Sequence, residues 1–326
     1  MNPSPSSSRR FVTTLLAAGF VTLCGIGNAE AIEGGSSLYV AGTKGIGAAI
    51  LPPEGVYFSN PLFFYSGKNS GAATYSGILV EGSSTVSSFT YFPTALWVTP
   101  AKILGGTTAL GLTGVLGYAD IGASGAITEP GKPTDTLSLD DAATGIGDPI
   151  LNGSIGWTEG ASSWNLSTMI NVPVGEYDAG QLANISFHRW IVDVTGAYTW
   201  YDPKIGIDLS AALGFSFNGE NEATGYISGN ELHVELSAAR YLTEAVAVGV
   251  NFFHARQITG DSGSGAVLGS YEGHASAIGP ELSATFTLGK TPLSVNANYF
   301  WELAADNRAQ GSSGWLTLTA PLGGAN

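Results

Sequence analysis

Charge is scarce in this sequence. Asp, Glu, Lys and Arg make up 12% of its 326 residues, about half the share of an ordinary soluble protein. The chain therefore lacks the solvated surface that a globular protein of this size normally carries. It is not disordered either, because 44% of it is hydrophobic. Basic residues are the scarcest of all, 12 against 26 acidic ones, for a net charge of −14. Contacts to nucleic-acid phosphates need clustered cations, and past Arg9 and Arg10 the chain has none, so no nucleic-acid partner is expected. The single cysteine, Cys24, excludes a disulfide framework and a cysteine metal site. Nucleophile elbow, H-E-x-x-H and phosphate loop are all missing, and GTKGIG (42–47) does not have the lysine and serine in the places that a phosphate loop needs. Neither catalysis nor a cofactor is expected. Beyond residue 31 no apolar run reaches the ~18 residues of a spanning helix. If the chain crosses a membrane, it must do so as a closed β-barrel, the other form that satisfies every backbone group in lipid.

Residues 1–31 read as an export signal. Arg9 and Arg10 form the positive end, 11–27 the apolar stretch, and Ala29-Glu30-Ala31 a small-x-small cleavage pattern. Export would carry the chain through the periplasm. Residues 32–55 are Gly-rich and form a candidate plug. Residues 56–326 are expected to build the barrel.

Alternation with a period of two dominates that last stretch. In 205–217 one face carries Ile205, Ile207, Leu209, Leu213, Phe215 and Phe217, and the other Asp208, Ser210, Gly214 and Ser216. A soluble sandwich alternates too, so one strand does not discriminate. The run 187–200 does. Its apolar face is Trp190, Val192, Val194, Gly196, Tyr198 and Trp200, aliphatic in the middle and aromatic at both ends. Ten residues at a rise of ~3.3 Å, tilted by roughly 40°, span about 25 Å. That is the apolar band of an outer-membrane barrel with its two aromatic girdles, and Tyr299 and Trp301 extend the girdle set. Further strands are expected near 56–65, 86–99, 106–118, 148–157, 163–172, 230–241, 244–257, 277–288, 292–302 and 311–320, about twelve in all. Short turns at 99–103, 158–162, 201–204, 242–245 and 289–292 alternate with long loops near 67–83, 119–147, 173–186, 218–229, 258–276 and 303–310. Short turns on one side and long loops on the other are the layout of a transmembrane antiparallel β-barrel. Its partners would be outer-membrane lipid and the barrel assembly machinery.

With the apolar faces turned to lipid, the lumen receives Arg189, Asp193, Asp208, Glu231, His233, Glu235, Asn251, Glu281 and Glu302. Six carboxylates against one guanidinium make an acidic interior, which favours cations in an aqueous path. Phe63, Tyr65, Phe92 and Phe253 are candidates for inward rings, although their phase fits a lipid-facing position equally well. His233 and Glu235 share a face and are potential metal ligands, but further ligands would have to come from elsewhere. His254 falls on the lipid face, where some barrels hydrolyse lipid with a His–Ser pair; no serine falls in phase with it.

Several runs resemble one family in the same order along the chain. ILPPEGVYFSNPLFFY (50–65), GIGDP (145–149), NVPVGEYDAG (171–180), ISFHRW (185–190), ARYLTEAVAVGVNFFHARQITGDSG (239–263), IGPELS (278–283) and NRAQGSSGWLTLTAPL (307–322) are similar to elements of the MetA-pathway phenol degradation proteins. The resemblance implies a Gram-negative outer-membrane barrel acting as a channel for small hydrophobic or aromatic compounds. It carries over no catalytic residue. The alternative is a barrel that transports nothing and serves as adhesin, scaffold or envelope protein.

Overall fold

In a computed structural model of the protein, residues 33, 37–75, 78–128, 134–266 and 269–322 are described. The proposed signal, 1–31, lies outside them. The strands are β1 (Gly55–Tyr75), β2 (Ile78–Tyr91), β3 (Thr94–Ile103), β4 (Gly106–Thr113), β5 (Leu116–Thr128), β6 (Asp135–Ile146), β7 (Ile150–Glu159), β8 (Ser162–Asn171), β9 (Ile191–Asp202), β10 (Ile207–Asn218), β11 (Glu220–Asn221), β12 (Tyr226–Ile227), β13 (Glu231–Thr243), β14 (Val246–Gln257), β15 (His274–Leu288), β16 (Thr291–Asp306) and β17 (Gln310–Pro321). Apart from the small β11–β12 hairpin they form one antiparallel sheet, and β17 pairs back onto β1 to close it. The result is a closed barrel of twelve staves.

Three staves are interrupted. β2 and β3 lie along β1 in one register, Leu62 opposite Tyr91 and Ser59 opposite Thr94, with Phe92-Pro93 between them. Proline has no N–H for the ladder, so the break falls there. β5 and β4 meet in the same way at Gly114-Val115, and β6 and β7 at Gly147-Asp148-Pro149. Above these breaks β6 is an edge, and segment 172–190 runs beside it instead of a stave.

The long loops expected at 67–83 and 119–147 are largely strand. β1 runs to Tyr75, β2 begins at Ile78, and β5 and β6 fill most of the second stretch. Ser, Gly and Thr crowd both faces there, because outside the hydrocarbon band neither face has to be apolar. The turn expected at 99–103 is the end of β3, and the chain reverses at Leu104-Gly105. The stave expected from 187 begins at Ile191.

Hydrophobicity is inverted relative to a soluble protein. Arg189, Asp193, Asp208, Glu231, His233, Glu235, Asn251 and Glu281 are buried inside, whereas Leu209, Leu213, Phe215, Phe217, Val248 and Val250 are exposed outside. Of the girdle residues, Trp190, Tyr198, Tyr299 and Trp301 are exposed and Trp200 is half-buried. No helix among the described residues is long and apolar enough to cross a membrane.

Candidate functional site: the occupied lumen

Segment 37–51 lies inside the barrel and meets the inward carboxylates one after another. Glu235 accepts from the Tyr39 hydroxyl at 2.6 Å, the Gly42 amide at 3.0 Å and the Lys44 amide at 3.1 Å. Glu231 accepts from Ser37 at 2.7 Å, Glu281 from the Ile46 amide at 3.2 Å, and Asp208 from the Gly47 amide at 3.4 Å. Asn298 donates to the Gly42 carbonyl at 2.7 Å and Trp315 to that of Ala41 at 3.1 Å. Apart from the turn bonds Ala48 N to Gly45 O and Ile50 N to Gly47 O, the segment does not pair its own backbone groups, and in a buried position each needs a partner. The acidic rows of β10, β13 and β15 supply those partners. The carboxylates expected to line an aqueous path are thus engaged with protein.

The glycine content of the segment has a local cause. A Cβ on Gly45 would collide with the Glu281 carboxylate, and Gly42 adopts φ +97° against the Phe300 ring.

Each sequence-derived candidate can now be placed. Asp193 holds His233 Nε2 at 2.8 Å and accepts from Thr195 at 2.6 Å and Ser216 at 2.7 Å. His233 also stacks on the Tyr39 ring, 3.4 Å between centroids. His233 and Glu235 are therefore both committed to the segment and its frame. Asn251 donates to the Lys44 carbonyl at 3.5 Å. Glu302 accepts from Tyr65 at 3.2 Å and from the Gly311 amide at 2.5 Å. Phe63, Tyr65, Phe92 and Phe253 all point inward. Phe63 and Phe92 flank Trp315, at 4.7 Å and 5.7 Å between ring centroids. Outside, Ser276 on β15 does pair with His254, Nδ1 to Oγ 2.8 Å, against the expectation that no serine is in phase. The two are direct cross-strand neighbours, a relation invisible before the β14–β15 register is known. Among the described residues no carboxylate bonds to the pair.

Between segment 37–41 and the long-loop side lies a cavity of about 400 Å³. Phe63, Phe92, Val115, Ile185, Phe187 and Phe253 give it apolar walls. Its wall on the β6 side is the segment 172–190, and Asp148 holds that segment in place. The Asp148 carboxylate accepts from Asn171 at 2.9 Å, Gly175 N at 2.8 Å, Ser186 at 2.7 Å, Phe187 N at 2.9 Å and His188 N at 3.0 Å. Nothing in the sequence singled Asp148 out beyond its place in GIGDP, because its partners lie 23 to 40 residues away. Asp148→Ala would remove the shared acceptor and leave Gly175 N, Ser186 and Phe187 N without one, since Asn171 also donates to the Arg189 carbonyl and His188 N to Ser186. At about 1–3 kcal/mol for each buried group left unpaired, the segment should open and become protease-sensitive in intact cells. Unchanged digestion would refute the role.

Arg189, at the end of this segment, is buried. Burial lowers its pKa from the ordinary arginine value, and Glu33 opposes the shift. Tyr177 is raised by burial and by the same Glu33.

Residues 66–318 match the family described as "Putative MetA-pathway of phenol degradation". The chain belongs to this family. Membership agrees with the fold. The COG4313 outer membrane channel of Pseudomonas putida F1 is similar in structure, with a TM-score of 0.55 at 13% identity over 84% of this chain and 97% of that one. More distant likeness extends to a Pseudomonas aeruginosa FadL homologue, TM-score 0.39 at 5% identity over 82% and 90% of the two chains. It extends also to the CymD monoaromatic hydrocarbon channel, TM-score 0.40 at 7% identity over 82% and 87%. No curated protein matches the sequence. The protein has the fold of a Gram-negative outer-membrane β-barrel.

Proposed function

We propose that this barrel is a channel for the passive uptake of small hydrophobic or aromatic compounds, exported through the periplasm and inserted by the barrel assembly machinery. The observation that carries the reading is the cavity. A channel for hydrophilic solutes needs a wet, polar path, yet here the polar lumen is filled by segment 37–51. The space left over is walled for the larger part by phenylalanine and aliphatic side chains, with polar groups such as Arg189, Arg308 and Thr224 on the remaining wall. Apolar walls favour a ligand that gains by leaving water, at about 25 cal/mol per Å² buried. In this reading segment 37–51 is a plug, and its retention by hydrogen bonds rather than a covalent link leaves it displaceable. The reading includes no catalysis.

The test is uptake. Cells lacking the protein should grow more slowly on an aromatic carbon source supplied at low concentration, and the plasmid-borne gene should restore growth. Equal uptake of every aromatic compound with and without the protein would favour the alternative, a barrel with an adhesive or scaffolding role. His254→Ala should leave outer-membrane lipase activity unaltered; a loss would make the His254–Ser276 pair catalytic and the reading incomplete.

A further inference from the structure

One wall of the cavity carries a cluster that the plug and the barrel frame do not explain. Four donors from separate places converge on the carboxylate of Glu33. Thr224 Oγ1 donates at 2.6 Å, Asn221 Nδ2 at 2.9 Å, the Tyr177 hydroxyl at 3.3 Å and Arg189 Nη1 at 3.4 Å. Thr224 and Asn221 come from the β11–β12 hairpin region, and Tyr177 and Arg189 from segment 172–190. Arg189 is 2% exposed. Its Nε donates to Asn218 at 3.3 Å, while Nη2, buried as well, has no partner among the described residues. A guanidinium grips a carboxylate best with two parallel N–H groups. Here Glu33 takes only one, at a long distance, and leaves the second donor vacant.

The surroundings favour an anion. Asp148, on the cavity wall, is satisfied by five donors, and Glu231, whose charge also acts on Arg189, is tied to Ser37. Arg308 adds a second cation to the lining, and its Nε is also without a partner among the described residues. Phe187 lies under the Arg189 guanidinium, 5.4 Å from ring centroid to Cζ, and Phe92 and Ile185 continue the apolar wall.

We propose that Arg189, Asn221, Thr224 and Tyr177 form a carboxylate-binding site, filled here by the chain's own Glu33, and that its external ligand is an aromatic monocarboxylate. The carboxylate replaces that of Glu33 on the four donors, takes up the free Nη2, and the ring lies on the phenylalanine wall. The ligand class rests on the channel reading above, whereas the site itself does not.

Binding to the full chain in detergent micelles tests it, with benzoate as the probe and benzyl alcohol and acetate as controls. Benzoate should bind, with acetate and benzyl alcohol much weaker, because each lacks one half of the match. Glu33→Gln removes the competing charge and should tighten benzoate binding roughly tenfold, the equivalent of ~1.4 kcal/mol. Arg189→Gln should weaken it by ~tenfold or more. Heat-modifiable migration on a gel reports whether each variant is folded. Should Arg189→Gln fail that check, Thr224→Val serves instead and should weaken binding severalfold. Equal binding of benzoate and benzyl alcohol, or benzoate binding indifferent to both Glu33→Gln and the donor variants, would overturn the proposal. Passage into liposomes separates the two readings. If neutral aromatics cross while benzoate does not bind, the site fails and the channel stands. If benzoate binds with the stated dependence while no aromatic crosses, the site stands and the channel fails.

Discussion

Removal of residues 33–48 should raise the single-channel conductance in planar bilayers by about tenfold or more, since twelve staves enclose a bore wider than the side-chain-filled eight-stranded kind. The deleted stretch contains Tyr39, Gly42, Lys44, Ile46 and Gly47, which together engage Glu235, Glu281 and Asp208. A point variant gives a graded version. Glu235→Ala leaves the Tyr39 hydroxyl and the Gly42 and Lys44 amides without their acceptor. Hydrogen bonds to a charged group contribute about 1.5–3 kcal/mol each, so the seated form should lose most of its advantage. Open bursts between closed intervals are then expected, in place of steady low conductance. Conductance identical to wild type in both proteins would show that the segment does not limit flow.

The second large effect is on stability. Leu213 sits midway along β10, points outward and is 48% exposed. Arginine at that depth in lipid should cost about 2–4 kcal/mol, measured by urea unfolding from lipid vesicles. Ile205, in the turn before β10, is as exposed at 50% but lies at the rim. Arginine there should cost only about 0–1 kcal/mol. On a water-facing sheet both changes would stay within about 0.5 kcal/mol. Equal costs at the two positions would therefore contradict a lipid-facing row.

The staves were legible wherever one face meets lipid. β9, β10, β13 and β14 alternate strictly because a one-residue slip would place Asp193 or Glu235 in hydrocarbon. The far ends of β1, β2 and β5 and the whole of β6 read as loops because that constraint ends where the bilayer ends. The inward acidic residues could be assigned to the lumen from phase alone. Their purpose could not, because Glu235 and the Gly42 amide it accepts are 193 residues apart. The same holds for Asp148, whose five donors are scattered over the following segment, and for Trp315, whose indole reaches the Ala41 carbonyl. The pairing of Ser276 with His254 is not legible in the sequence, because pairing across strands depends on register, which phase does not supply.

The path of the chain also dictates an order of events. Residues 37–51 immediately precede β1, and β1 is half of the seam that β17 closes. Their anchoring carboxylates stand on β10, β13 and β15, staves from the later part of the sequence. Once the seam has zipped, the leading stretch must enter through an end already crowded with side chains. It is far easier to wrap the incoming hairpins around it. Residues 37–51 are therefore expected to act as a mandrel on which the late hairpins are laid, and a chain that cannot seat them should complete its cylinder slowly.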